Sequence, residues 1–162
     1  AGLFQRQPGN SGVTGDDYAT QTLQEQLASL EERALTNPGD KNVLLELAET
    51  YIYTAQQEQA IKTYEQVLAL DPGDAEARIN LATLYYYSSQ YDPAIGHLQD
   101  LIQRDPGNKS AHYLYGIILG TGKQDYAGAI QEMETFISLA GEGMEVEKAR
   151  QAIEEWKKAS DQ

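Results

Sequence analysis

The sequence predicts an all-α fold, a solenoid of antiparallel helix pairs stacked side by side. The main observation is a tripeptide, Pro-Gly-Asp or Pro-Gly-Asn, that recurs with prolines at positions 38, 72 and 106, which are 34 residues apart each time. A fixed period of that length is typical of helix–turn–helix repeats. The second observation is that apolar residues between these tripeptides recur at helical spacing. The hydrophobic content of 41% in 162 residues is sufficient for a continuous core.

Each tripeptide is predicted to end one helix and to begin the next. Proline disfavours the helical conformation of the residue before it, and glycine allows the turn that follows. The helices are therefore expected to end at Asn37, Asp71 and Asp105. The next residues with short polar side chains stand at the N-cap position, where a side-chain oxygen accepts a bond from a free helix amide. These predicted N-caps are Asp40, Asp74 and Asn108.

When the repeats are superimposed in sequence, the same residue types fall in the same columns. Small residues form one column in the first helix of each repeat and another in the second helix. The first-helix column is Ala48, Ala82 and Gly116, and the second-helix column is Ala60, Ala94 and Ala129. Two helices joined by a short turn approach closely only where a side chain is small, so these columns mark the helix crossings. The third repeat has one extra residue, which we expect in the inter-helix turn within residues 122–128.

Residues 41–140 resemble the tetratricopeptide repeat family. The family pattern places apolar, small and aromatic residues in the first helix, alanine and a large residue in the second, and proline near the end. The first repeat matches it with Leu47, Ala48, Tyr51, Ala60, Tyr64 and Pro72. The third repeat departs from the pattern, because Gly141 stands where proline is expected. The resemblance implies a right-handed superhelix with repeats at 41–74, 75–108 and 109–141.

Segments outside the repeats are predicted to cap the solenoid, whose terminal units would otherwise expose an apolar face. Residues 17–37 form an N-terminal capping helix that looks like half a repeat. Residues 143–160 form a C-terminal capping helix with an apolar stripe of Val146, Ala149, Ile153 and Trp156. Residues 1–16, rich in Gly, Asn, Ser and Thr, are expected to be a flexible linker.

Catalytic, metal and cofactor sites are not predicted. The chain has no cysteine, and its two histidines, His97 and His112, lie in different helices of different repeats. His112 takes the position of Leu44 one repeat earlier, so we expect it to pack in a partly buried position. The formal charge of −13 disfavours nucleic acid, which requires a basic surface. No apolar run is long enough to insert into a bilayer. We therefore expect a protein without enzymatic activity.

The family resemblance implies that the first helices line a concave groove that holds a segment of a partner protein. Carrying the groove positions of the family onto this sequence gives a predicted groove of thirteen residues. They are Leu45, Glu46, Glu49, Ile52, Tyr53, Ile79, Asn80, Thr83, Tyr86, Tyr87, Tyr113, Leu114 and Ile117. Glu76 occupies a further groove position. Exposed aromatic side chains are the usual anchors of peptide sites; the alternative is that some of these tyrosines pack against neighbouring helices.

The charge of the groove indicates what it binds. Chaperone adaptors of this family grip a peptide carboxylate with lysine, asparagine and arginine at fixed groove positions. Here those positions hold Leu45, Glu49, Asn80, Ser110 and Leu114, of which Asn80 alone matches. Glu49 would repel a carboxylate. The groove is therefore expected to prefer apolar or aromatic residues flanked by lysine or arginine.

Two further interpretations concern assembly and location. The linker-like start and the final amphipathic helix are similar to bacterial repeat proteins of cytochrome c maturation and cell-envelope assembly. That similarity favours an extracytoplasmic protein tethered to the membrane through a missing N-terminal segment, with a cytoplasmic protein as the alternative. The second interpretation is a structural homo-oligomer formed through the C-terminal helix, with Trp156 in the interface.

Overall fold

The computed structural model describes residues 15–162, except for the side chains of residues 17 and 18. The part of the chain that it describes is helical and contains no strand. The linker predicted at 1–16 lies outside the described residues, apart from its last two positions. The helices are α1 (Gly15–Thr36), α2 (Lys41–Tyr53), α3 (Gln57–Leu70), α4 (Ala75–Tyr87), α5 (Tyr91–Arg104), α6 (Lys109–Ile117), α7 (Tyr126–Ala140) and α8 (Met144–Ser160). The prediction of an all-α solenoid is confirmed.

The helices pack in neighbouring pairs along the chain. The pairs α2 with α3, α4 with α5 and α6 with α7 have the most extensive contacts, and each pair also packs against the next. Helix α1 packs against α2 at one end, and α8 packs against α7 at the other. We call α2, α4 and α6 the first helices, and α3, α5 and α7 the second helices.

The predicted N-caps are present at the start of all three first helices. The side chain of Asp40 accepts a hydrogen bond from the Val43 amide at 3.2 Å. Asp74 and Asn108 accept the corresponding bonds from Ala77 and Ala111, at 2.9 and 3.0 Å. Each N-cap satisfies a helix amide that would otherwise lack a partner. The repeated sequence therefore produces a repeated local structure.

The extra residue of the third repeat lies at the end of the first helix, and not in a loop as the sequence analysis expected. Residues Ile118–Gly122 form a π-helical turn, in which the Lys123 amide bonds the Ile118 carbonyl at 3.0 Å. The turn then closes on Gln124, whose φ of 56° matches the φ of 57° at Ala55 and 59° at Ser89 in the earlier repeats. A π turn adds one residue per turn while the chain stays helical. The inter-helix turn therefore keeps its shape.

The alanine columns form the helix crossings. Ala48, Ala82, Ala60, Ala94 and Ala129 are fully buried. Large side chains of the second helices fill the space beside them, namely Tyr64, Leu98 and Met133. In the third repeat the small residue is Gly116, where a Cβ atom would lie only 3.1 Å from the Met133 side chain. Close approach of the helices thus depends on the small residues.

Both ends of the solenoid are covered by helices with a polar outer surface. Helix α1 takes the place of a second helix at this end. Tyr51 donates a hydrogen bond to Glu31 of α1, and Tyr85 donates the equivalent bond to Glu65 of α3; both residues of the second pair stand 34 positions after those of the first. At the other end, the Trp156 indole covers Gly120 of the π turn. A methyl group on Gly120 would overlap that ring.

Two glycine substitutions should change stability in opposite directions. Gly120→Ala should lower the free energy of unfolding by about 1–3 kcal/mol, because the new methyl group displaces Trp156. Gly96→Ala, in the middle of α5, meets no atom within 4 Å and should raise it by about 0.5–1 kcal/mol through helix propensity. Urea unfolding followed by circular dichroism measures both. Equal effects of the two substitutions would contradict the close packing of Trp156 on the π turn.

Candidate functional site

The predicted groove residues all lie on α2, α4 and α6, and they differ widely in exposure. Among its apolar and aromatic residues, Tyr53 and Tyr87 are the most exposed, at 75% and 76%, and Ile52 follows at 41%. Tyr53 and Tyr87 are the last residues of α2 and α4, one repeat apart. Glu46 and Glu49 are also exposed, whereas the other predicted residues are half-buried. Those half-buried residues are Leu45, Ile79, Asn80, Thr83, Tyr86, Tyr113, Leu114 and Ile117.

Two of the predicted aromatic residues pack against neighbouring rings. The Tyr86 ring centroid lies 5.5 Å from that of Tyr87 and 6.0 Å from that of Tyr91. Tyr91, the first residue of α5, was missed by the sequence analysis. Tyr113 makes an edge-to-face contact with Phe136 of α7, at 5.0 Å between centroids. Tyr113 therefore contributes mainly to packing between α6 and α7, while Tyr86 supports the exposed Tyr87.

Tyr85, which stands 34 residues after Tyr51, lies outside this aromatic cluster. Its hydroxyl contacts Glu65 of α3, and its ring stacks on His97 of α5 with 5.9 Å between centroids. Burial and the hydrogen bond to Glu31 raise the pKa of the equivalent Tyr51 to about 12. Both tyrosines thus link a first helix to the helix that precedes it in the chain.

The acidic side chains at the predicted groove positions differ in whether a cation of the protein lies beside them. Glu46 has a cation nearby, since its carboxylate lies 3.8 Å from the Arg33 guanidinium. Glu49 and Glu76 are exposed, and no cation in the described part of the chain forms an ion pair with either. Both charges are therefore available to a ligand. A basic group is the ligand that two exposed carboxylates attract.

A cleft that the sequence analysis did not predict lies between α1 and α3, away from all thirteen predicted groove residues. Its volume is about 710 Å³, and the exposed Leu35 and Leu70 stand at its edge. Leu44 and Thr63 line it.

In the following repeats, polar side chains take the position of Leu44. Arg78 replaces Leu44 in the second repeat, and it bonds Asp100 at 2.6 Å and the Pro72 carbonyl at 2.8 Å. In the third repeat the position is taken by His112. Of the three residues at this position Leu44 alone is apolar, and it lines the cleft.

His112 is buried, and its two ring nitrogens are both engaged. The Nε2 atom lies 2.9 Å from the Pro106 carbonyl, and the Nδ1 atom lies 2.6 Å from a Glu132 oxygen. The expected packing position is correct, but the contact with a carboxylate on α7 was not predicted. No group of three potential metal ligands occurs among the described residues.

The apolar stripe of α8 faces inward. Val146, Ala149, Ile153 and Trp156 are all buried against α7 and the π turn, and Trp156 is 9% exposed. This stripe is the lid of the last repeat within one chain, so Trp156 is not on an exposed surface. Within residues 15–162, no helix is both long and apolar enough to cross a bilayer.

Stacked helix pairs with small residues at their crossings define a helical repeat protein of the α-solenoid class. The sequence profile of the tetratricopeptide repeat family matches residues 56–118, which include α3 to α6. No curated protein matches the sequence. Residues 56–118 therefore belong to the tetratricopeptide repeat family, which supports the resemblance that the sequence indicated over residues 41–140.

Solved structures share this fold at low sequence identity. MamA superimposes with a TM-score of 0.78 at 21% identity, covering 91% of this chain and 85% of that one. A tetratricopeptide repeat protein from Parabacteroides merdae ATCC 43184 superimposes with a TM-score of 0.77 at 17% identity, covering 90% of this chain and 58% of that one. The first TPR of Spaghetti (RPAP3), bound to the HSP90 peptide SRMEEVD, superimposes with a TM-score of 0.67 at 18% identity, covering 75% of this chain and 94% of that one.

Replacement of Trp156 distinguishes a lid from an interface. Trp156→Asp should lower the free energy of unfolding by about 3–5 kcal/mol, because it places a carboxylate where the indole is buried. Thermal unfolding followed by circular dichroism measures the loss, and light scattering measures the mass before and after the substitution. A dimer that dissociates with its thermal midpoint unchanged would contradict the lid and support assembly through α8.

Proposed function

We propose that this protein is a non-catalytic scaffold that binds a segment of a partner protein on its first helices. The observation that carries the proposal is the equivalent placement of Tyr53 and Tyr87. Each ends a first helix, each is about three-quarters exposed, and each belongs to the predicted groove. Large aromatic side chains offer extensive contact area at small entropic cost. Repetition of the same exposed ring suits a segment that runs across successive repeats.

The preferred segment carries apolar or aromatic residues with lysine or arginine beside them. Apolar contacts come from Ile52 and the two exposed tyrosines, whereas Glu49 and Glu76 attract the basic residues. The Spaghetti (RPAP3) repeat domain binds a peptide with two glutamates and a terminal aspartate. On this chain, an acidic peptide of that kind meets carboxylates of the same sign. The partner class is therefore different from that of the neighbour.

A finer assignment is an extracytoplasmic assembly factor, tethered to the membrane and acting, for example, in cytochrome c maturation. This assignment is supported by the linker-like composition of residues 1–16 and by the amphipathic α8, which ends the array. The residues that precede Ala1 in the gene product test it: an apolar span there supports the tether, and a continuous polar domain contradicts it.

Binding to a peptide array tests the groove. The array presents random segments that pair aromatic residues with lysine, together with SRMEEVD as an acidic control. We expect the wild-type protein to bind basic-aromatic segments, and the Tyr53→Ala, Tyr87→Ala double variant to bind them about tenfold or more weakly. SRMEEVD should not bind.

The matched control is a Leu70→Ala, Leu139→Ala double variant, which removes two exposed apolar side chains from the second helices. Its affinity for the same segments should equal that of the wild type. If both double variants lose binding equally, or if the tyrosine variant binds normally, the segment lies elsewhere on the protein.

A further inference from the structure

The cleft between α1 and α3 has a polar end and an apolar end. Helix α2 runs antiparallel to α3, so the last residues of α2 and the first residues of α3 lie at the same end. At that end the Tyr51 hydroxyl donates to Glu31 at 2.7 Å, and Gln59 and Lys62 of α3 complete the lining. The last turns of α1 and α3 line the other end with Ala34, Leu35, Pro38, Ala69 and Leu70. A cleft graded in this way suits a ligand with a polar head and an apolar tail.

The apolar end combines a buried floor with exposed edges. Leu44 and Leu47 of α2 form the floor and are almost completely buried. Leu35 stands at the edge with 84% of its surface exposed, and Leu70 with 48%. Removal of such apolar surface from water is favourable. An apolar chain lying on this floor therefore gains free energy from contact with both walls.

The second repeat closes the equivalent gap with an ion pair that the first repeat lacks. Arg78 takes the position of Leu44 and bonds Asp100 at 2.6 Å. The residue that stands 34 positions before Asp100 is Gln66, which lines the cleft. Both members of the pair are thus replaced by uncharged residues in the first repeat.

Hydrogen-bond donors of the polar end lie on the α3 wall. Among the described residues that line the cleft, Lys62 alone carries a positive charge. It forms no ion pair within residues 15–162. Gln59 and Gln66 stand on the same face of α3, three residues before Lys62 and four after it. The acid on the opposite wall, Glu31, already accepts the Tyr51 hydroxyl. A carboxylate, which has acceptors only, is the head group that matches an unpaired cation and two amide groups.

We propose that this cleft binds a linear medium-chain carboxylate, with its head group at Lys62 and its chain directed toward Leu70. The helix rise places these two residues about 12 Å apart along α3, close to the extended length of decanoic acid. The cleft volume of about 710 Å³ lies within the range of small-molecule sites. None of the predicted groove residues lines the cleft, so this site is separate from the proposed peptide-binding function.

Nuclear magnetic resonance titration with simple amphiphiles tests the site. The probes are decanoate, octanoate and decylamine, each below its micelle concentration and at matched ionic strength, and the reporters are the methyl signals of Leu44 and Leu47. We expect decanoate to shift both signals in a saturable way. Octanoate should bind about tenfold more weakly, because two fewer methylene groups enter the cleft. Decylamine should bind more weakly than decanoate, since its charge repels Lys62.

A charge-removing substitution locates the head group. Lys62→Gln should weaken decanoate binding about threefold, the effect of losing one exposed ion pair, and should leave decanol binding unchanged. Lys158→Gln is the matched control, because Lys158 is also exposed and lies on α8, away from the cleft. The control should bind decanoate as the wild type does.

A second variant closes the cleft. Leu44→Arg with Gln66→Asp reproduces in the first repeat the pair that Arg78 and Asp100 form in the second. We expect this double variant to keep its helicity and to bind decanoate at least about tenfold more weakly. If the double variant does not fold, the comparison of chain lengths and Lys62→Gln still decides the outcome.

The absence of a saturable shift at Leu44 would overturn the site, and so would equal affinities for octanoate and decanoate. Tighter binding of decylamine would overturn the assignment to a carboxylate. A dimer that Leu35→Asp dissociates, measured by light scattering, would assign the cleft to a second copy of the chain instead. Displacement of decanoate by the array peptides would assign it to the partner segment. Normal decanoate binding by the Tyr53→Ala, Tyr87→Ala variant supports a separate site, whether or not the array peptides bind.

Discussion

The crossing of two helices at a small residue is the constraint on which the rest of this structure depends. A short turn holds each first helix against its second helix, and the backbones approach closely only where alanine or glycine stands. Ala48, Ala82 and Gly116 supply that position in the first helices, and all are buried. A larger side chain there would separate the pair and interrupt the core that continues into the next repeat.

Because a few columns fix the packing, the remaining positions of each helix are free to differ between repeats. Position 44 and its equivalents show this freedom. Leucine, arginine and histidine occupy it at Leu44, Arg78 and His112, and all three first helices keep the same N-cap bond. Leu44 lines the apolar cleft, whereas Arg78 and His112 each contact a carboxylate on the next helix. The same framework therefore carries three local surfaces, and each surface follows from its own side chains.

The sequence was sufficient for the fold because its signals are local and repeated. N-caps such as Asp74 and breakers such as Pro72 act within a few residues, so they can be predicted without knowledge of the tertiary structure. The site was only partly predictable. The groove positions of the family correctly assign Tyr86 and Tyr113 to first helices. Both are nevertheless half-buried, because their rings pack against Tyr91 and Phe136 of neighbouring helices. The π turn and the contact of Glu132 with His112 likewise depend on residues that are distant in sequence.

Tyr64 shows how the framework accepts a change of residue at a core position. Its ring is buried where Leu98 and Met133 are buried in the following repeats, so the core tolerates it. One buried column therefore takes a tyrosine in the first repeat, a leucine in the second and a methionine in the third. Stacking of the helix pairs fixes the burial of this column and leaves the residue type free to differ between repeats.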